Sequence, residues 1–282
     1  MEGAQKSDAP VIRYYVGTSG WSYPTGEGSW KGTFYPQDQK VDELVYYSQF
    51  FRTVEINSSF YRPPSLATVR HWARRVPREF LFSVKLWQKF THPQMYRDAT
   101  GDSSNLSHED IKLFQAVLEL LAGEGKLGAV LAQFPPGFKN VPENVVRLAM
   151  VIEGFAGYRL AVELRHRSWS DDPSTETLLS RHNVAWVQID EPKFSFSIAE
   201  RLPQTADFAY FRFHGRNAEQ WWTGDVETRY KYLYSESEIR ELAQKVKSSI
   251  QGTGLVFAYF NNHWKGYAPR NAGDFMKQLS IF

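Results

Sequence analysis

Short apolar runs of β type alternate with segments of helical period along almost the whole chain. The candidate strands are Tyr14–Ser19, Thr53–Ser58, Phe80–Leu86, Gly128–Phe134, Arg159–Arg165, Val184–Asp190, Phe208–His214 and Leu255–Asn261. They are apolar nearly throughout, as strands covered on both faces are. Helical patterns fill the intervals. Asp42 can cap a helix running to Phe51, Ser65 one from Leu66 to Arg75, and Ser107 one through Leu121, with Asp110 three residues on and Gly123 just past the end. Pro142 suits a first helical position. Pro173–His182, Glu236–Ile250 and Asn271–Leu279 complete the set, and Phe194–Leu202 holds at most a short helix. The alternation recurs eight times with no break in composition. It predicts an α/β fold, a (β/α)8 TIM-type barrel forming a single domain over residues 11–282, with long loops after strands one, three, seven and eight. The alternative is an open doubly wound sheet, which usually has a glycine-rich first turn that Gly17-Thr18-Ser19-Gly20 matches poorly. Residues 1–10 are polar, lack the apolar core of a signal peptide, and read as a loose tail.

Side chains alternate along a strand, so residues two apart share a face. Glu55 with Asn57, Ser83 with Lys85, Glu163 with Arg165, Gln188 with Asp190, and Arg212 with His214 are such pairs; Gln133 and Asn261 end their own strands. All lie toward the C-terminal ends, where sites of this fold form. Glu55, Glu163 and Asp190 oppose Lys85, Arg165 and Arg212, so the groups should form a hydrogen-bonded network. A purely structural lattice of ion pairs is one reading. A functional pocket is favoured, because polar groups at most strand ends are a costly way to fill a core. Glu163 and Asp190 are acid–base candidates, His214 a proton shuttle, and Lys85 a Schiff-base lysine if its surroundings depress its pKa. Pairing of Lys85 with Glu55 would have the opposite effect. Glu55, Asn57, Gln133, Arg165, Arg212 and Asn261 are binding candidates.

Composition narrows the chemistry. There is no cysteine, which excludes disulfides, thiolate catalysis and cysteine-ligated metal, and suits a reducing cytoplasm. Net charge is only +2, so any attraction for nucleic acid must be local. No apolar run is long enough to span a bilayer, and mean hydropathy is -0.46, so no membrane partner is expected. The chain carries 9 Trp, 15 Tyr and 20 Phe, and many fall with cations in the long loops. Trp21, Trp30, Trp222 and Trp264 are candidates for stacking on a base or a sugar, although long loops also bury aromatics as satellite cores. Glu55, Glu163, Asp190 and His214 could hold one divalent ion, but three cations compete for the carboxylates, and no metal or cofactor is expected. There is no GxSxG, P-loop or HExxH. The leading expectation is a phosphate-bearing ligand, nucleic acid or nucleotide, with hydrolysis as a further step. The alternatives are a carbohydrate-active hydrolase using Glu163 and Asp190 and a non-catalytic binding module. Oligomeric state is not legible.

Several segments carry a resemblance: VGTSGWSYP with WKGTFYP, VEINSSFYRPP, FSVKLWQKFTHP, LAQFPPGF, VELRHRSW, VQID, YFRFHG and AYFNNHWKGYAPRNA. In this order the chain resembles the domain-of-unknown-function 72 family, also called YecE-like proteins. The resemblance implies a TIM-type barrel, with Glu55, Asn57, Lys85, Gln133, Glu163, Arg165, Asp190, Arg212, His214 and Asn261 as its pocket positions. It supplies no established activity. Similarity of such proteins to endonuclease IV barrels implies DNA binding. Those sites use many histidines around several zinc ions, whereas this chain has 7 His and places only His214 at a strand end.

Overall fold

The computed structural model describes residues 12–222, 226–250 and 252–281, in which nine strands form two wholly parallel sheets. The strands are β1 Arg13–Thr18, β2 Thr53–Ile56, β3 Leu81–Lys85, β4 Leu127–Gln133, β5 Leu160–Glu163, β6 Ala185–Trp186, β7 Gln188–Asp190, β8 Phe208–Phe213 and β9 Leu255–Phe260. One sheet runs β2-β3-β4-β5-β6 and the other β1-β9-β8-β7. Every predicted strand is present. That over Val184–Asp190 is divided: Ala185 and Trp186 pair with β5, whereas residues from Gln188 pair with β8. Val187 sits at this seam and donates its N–H to Val162 O at 3.0 Å. At the other seam Ser19 and Glu55 form an isolated parallel bridge, and Gly20 N–H donates to Glu55 O at 2.8 Å. The fold is thus a mixed α/β domain built on two parallel sheets.

The helices follow their caps. Asp42 accepts from Val45 N and starts a helix at Glu43–Tyr47, shorter than the expected run to Phe51. Ser65 caps Leu66–Ala73. Ser107 and Asp110 form a reciprocal capping box on His108–Gly123, so Gly123 is the last helical residue and does not follow the end. Pro142–Gly154, Pro173–Arg181 and Glu236–Ser249 stand where the periodicity puts them. The last helix, Tyr267–Leu279, begins four residues before the expected Asn271. Pro269 is tolerated there because first-turn N–H groups need no helical partner. Short helices at Gln88–Thr91, Pro93–Thr100 and Arg167–Ser170 were not expected. Phe194–Leu202 holds no helix. Its backbone pairs with the chain after β5: Arg167 N donates to Phe196 O and Ile198 N to Arg165 O, at 2.8 and 2.9 Å. The expected tail at 1–10 lies outside the described residues. Among those described, no helix is long and apolar enough to cross a membrane.

Candidate functional site

The ends of β2, β5 and β8 converge on a buried ion network. Arg212 donates from Nε and Nη2 to the two oxygens of Glu55 at 3.0 and 2.8 Å, and from Nη1 to Glu163 Oε2 at 2.6 Å. Glu55 also accepts from Ser19 Oγ and Tyr210 OH, both at 2.7 Å. Arg165 Nε donates to Glu163 Oε1 at 2.7 Å. Both oxygens of each carboxylate are therefore engaged. Glu55, Glu163 and Arg212 are almost wholly buried, and such charges persist only with partners of this quality. Burial pushes the Glu163 pKa up, yet Arg212 and Arg165 hold it well below the usual carboxylate range. His214 packs behind the network. Arg165 Nη2 donates to its Nε2 at 3.1 Å, and its Nδ1 lies 3.1 Å from the Asn261 amide. Burial, then the charge of Arg165, lowers the His214 pKa to about 3. At neutral pH it is an uncharged support for Arg165 and takes up no proton.

Above this network opens a cavity of about 420 Å³, lined by Asn57, Lys85, Gln133, Arg165, Arg212 and Asn261 among others. Trp21, Tyr23, Phe60, Tyr61, Tyr230 and His263 complete the wall. His263 stacks between Tyr23 and Tyr230, with centroids at 4.7 and 5.3 Å. The carboxylates lie behind the cations. Lys85 ends β3, and its Nζ sits 4.1 Å from the centroid of the Phe60 ring. Among the described residues it makes no hydrogen bond or ion pair, because Glu55 and Glu163 are held by the two arginines. Burial, then the charge of Arg212, outweigh the pull of Glu55 and Glu163 and, with a smaller push from Arg165, lower its pKa to about 7. The expected pairing with Glu55 does not form. Asn57 Oδ1 is buried without a partner, leaving one acceptor at the cavity wall.

Other expected site residues lie elsewhere. Asp190 is clamped by Arg216, whose Nε and Nη2 reach its oxygens at 3.0 and 2.8 Å, and it accepts from Tyr234 OH at 2.7 Å. Gln188 bonds Leu202 on the same outward side. The acid next to this strand end that reaches the ion network is Glu191, which sequence parity did not select. It is 3.3 Å from Arg165 Nη1, and burial raises its pKa. Trp30 is fully buried and donates Nε1–H to His263 O at 2.5 Å. Trp264 is buried with Lys231 and Lys265 over its ring. Trp222 is half exposed beside Phe194 and Phe196. Of the four tryptophans, Trp21 alone lines the cavity. The ligand set Glu55, Glu163, Asp190 and His214 is not assembled, and among the described residues no group of three or more His, Asp or Glu gathers as metal ligands.

Fold and site together define an α/β protein of parallel strands with a cation-lined pocket at its strand ends. Residues 15–281 match the family described as "Protein of unknown function DUF72", and the chain belongs to that family. It is 30% identical over 278 residues to the UPF0759 protein YunF of Bacillus subtilis, covering 95% of each chain. A solved DUF72 family protein from Thermotoga maritima is 39% identical with a TM-score of 0.82, covering 95% of this chain and 99% of that one. One from Enterococcus faecalis is 26% identical with a TM-score of 0.81, covering 96% of both.

Proposed function

We propose that this protein binds a small phosphate-bearing molecule, of mononucleotide size or less, at the mouth of a barrel closed through its two sheet seams. The observation that carries the reading is Lys85: a cation without a counter-ion, facing a cavity whose floor is two guanidinium groups. A phosphate there meets Lys85 Nζ and the Arg165 guanidinium, with the charge of the buried Arg212 behind them, and charge-assisted bonds of that kind are the strong ones. The cavity of about 420 Å³ falls within the ~300–1,000 Å³ common to small-molecule sites. Its aromatic wall suits a base or a sugar face. A recessed pocket on a chain of net charge +2 favours a small ligand over a nucleic-acid polymer. The glycoside reading loses its support, because each oxygen of Glu163 and Asp190 already faces an arginine. Titration calorimetry with mononucleotides, sugar phosphates and inorganic phosphate at about 50 mM salt, where screening is weak, tests the proposal. Binding that weakens roughly tenfold or more in Lys85→Met supports it. No heat with any phosphate compound sinks it.

A further inference from the structure

The pocket contains a reactive group as well as a binding one. An amine attacks a carbonyl only through its lone pair, and an ordinary lysine at neutral pH has its lone pair protonated. Lysine beside a carboxylate is held in that inert form. Lys85 is not: Arg212 and Arg165 take every oxygen of Glu55 and Glu163 and present their own positive charge to its ammonium. The two arginines thus remove the counter-ion and repel the proton at once. The Phe60 face favours the ammonium only weakly, and burial with the Arg212 charge outweighs it, which is why the pKa falls to about 7. Lysines with a carboxylate partner differ in kind: Lys89 meets Asp110, Lys245 meets Glu200 and Lys277 meets Asp274, each within 3.2 Å.

We propose, resting on the phosphate reading above, that Lys85 forms an imine with the carbonyl carbon of a phosphorylated aldehyde or ketone bound in this pocket. The phosphate lies on the arginine side. The Lys85 Nζ lone pair forms a bond to the carbonyl carbon, and the carbonyl π pair moves to its oxygen. One proton passes from nitrogen to that oxygen, giving the carbinolamine. Its C–O bond then breaks, the second nitrogen proton leaves with the oxygen as water, and C=N remains. Amine and carbonyl go to imine and water, with no oxidant or reductant.

The test uses the full chain and pyridoxal 5′-phosphate, an aldehyde carrying a phosphate, followed by borohydride reduction and peptide mapping. At about pH 7.5 a lysine of pKa near 7 holds roughly six-hundredfold more free amine than an ordinary one. Lys85 is therefore expected to be labelled first and by at least tenfold over exposed lysines, with inorganic phosphate slowing the reaction. The labelling rate should level off just above pH 7. Lys85→Arg should lose this label and keep the far-ultraviolet circular dichroism spectrum, and Lys85→Met serves if the larger head group prevents folding. Labelling spread over exposed lysines, with phosphate still binding by calorimetry, overturns the imine and spares the phosphate site. Equal labelling of Lys85 by unphosphorylated pyridoxal keeps the reactive lysine and overturns phosphate recognition. If neither compound reaches Lys85 and no phosphate binds, both readings fall.

Discussion

Arg212 illustrates how costly single side chains become in this interior. Its guanidinium joins Glu55 to Glu163 where none of the three meets solvent. Glu163→Gln removes the charge opposite both Arg165 and Arg212 and leaves buried cations under-compensated. Loss of about 3–5 kcal/mol of stability is expected, read as a lower urea midpoint with unchanged slope. Lys85 works in the opposite direction. Its pKa is about 7 in the fold against roughly 10.4 in an unfolded chain, so between these values the unfolded state binds the extra proton and stability rises with pH. Below about pH 7 the whole penalty of holding the half-buried ammonium is present. Lys85→Met should therefore raise the melting temperature more at about pH 6 than at about pH 9.5. His92 and His214, both lowered to about 3 chiefly by burial, act on the acid side: from about pH 6.5 downwards the unfolded chain takes up protons that the fold refuses, and stability falls. His214→Asn should flatten that slope by about 1.4 kcal/mol per pH unit over the window. At this scale the sequence was legible wherever the period of two could be read. Parity picked Glu55, Lys85, Glu163, Arg165 and Arg212 correctly as neighbours. It failed at Asp190 because the strand passes from one sheet to the other at Val187, and the inward face there continues to Glu191. The tryptophans were illegible for another reason. Loop aromatics have no period, and Trp30 packs against Tyr23, Phe34 and Tyr35 instead of facing the cavity.

Among the elements, β1 and β2 are held at their seam by a close approach that only glycine permits. A Cβ on Gly17 would collide with Thr53 O and lie 2.9 Å from the Tyr47 hydroxyl. That hydroxyl accepts from Thr18 N at 2.9 Å and donates to Thr53 O at 3.1 Å, so one residue of bulk disturbs the whole joint. Gly17→Ala is expected to cost about 1–3 kcal/mol by overpacking. Because Ser19 carries the bond to Glu55 from the same strand end, the variant should also weaken phosphate binding. Ser235→Ala is the counterpart. It removes one half of the capping box on Glu236–Ser249, for an expected ~0.5–2 kcal/mol, and leaves ligand affinity unchanged, since that helix contributes nothing to the pocket wall. Equal effects of the two variants on binding would show that the seam does not govern the site. Strands and long helices were readable because burial on both faces and side-chain caps are local signals. The short helices after β3 and β5 were not, since four to eight residues of helix are fixed by tertiary contacts.

For the whole molecule, charge distribution separates a small-ligand protein from a nucleic-acid one. The alternation of strands and helices made the parallel α/β arrangement legible, but the choice between these partners depends on how far the cations extend. Here the pocket cations stand together over two carboxylates, so the positive field at the mouth is confined, and the chain as a whole carries only +2. A protein covering many phosphates releases a counter-ion at each, and its log affinity falls by about 0.9 per phosphate for each decade of salt. A mononucleotide carries no condensed counter-ion atmosphere, so its affinity should fall only shallowly with salt, through ordinary screening. Duplex DNA should bind more weakly than the mononucleotide at every ionic strength, because a phosphate on a stiff helix cannot enter a recess beneath Tyr61 and Tyr230. Fluorescence titration of the intrinsic tryptophan, with Trp21 at the cavity wall as reporter, measures both slopes. A steep slope with tight duplex binding would mean that the cations of the outer loops, not Lys85, are the working surface. The pocket would then be the structural lattice that the strand-end charges also allow.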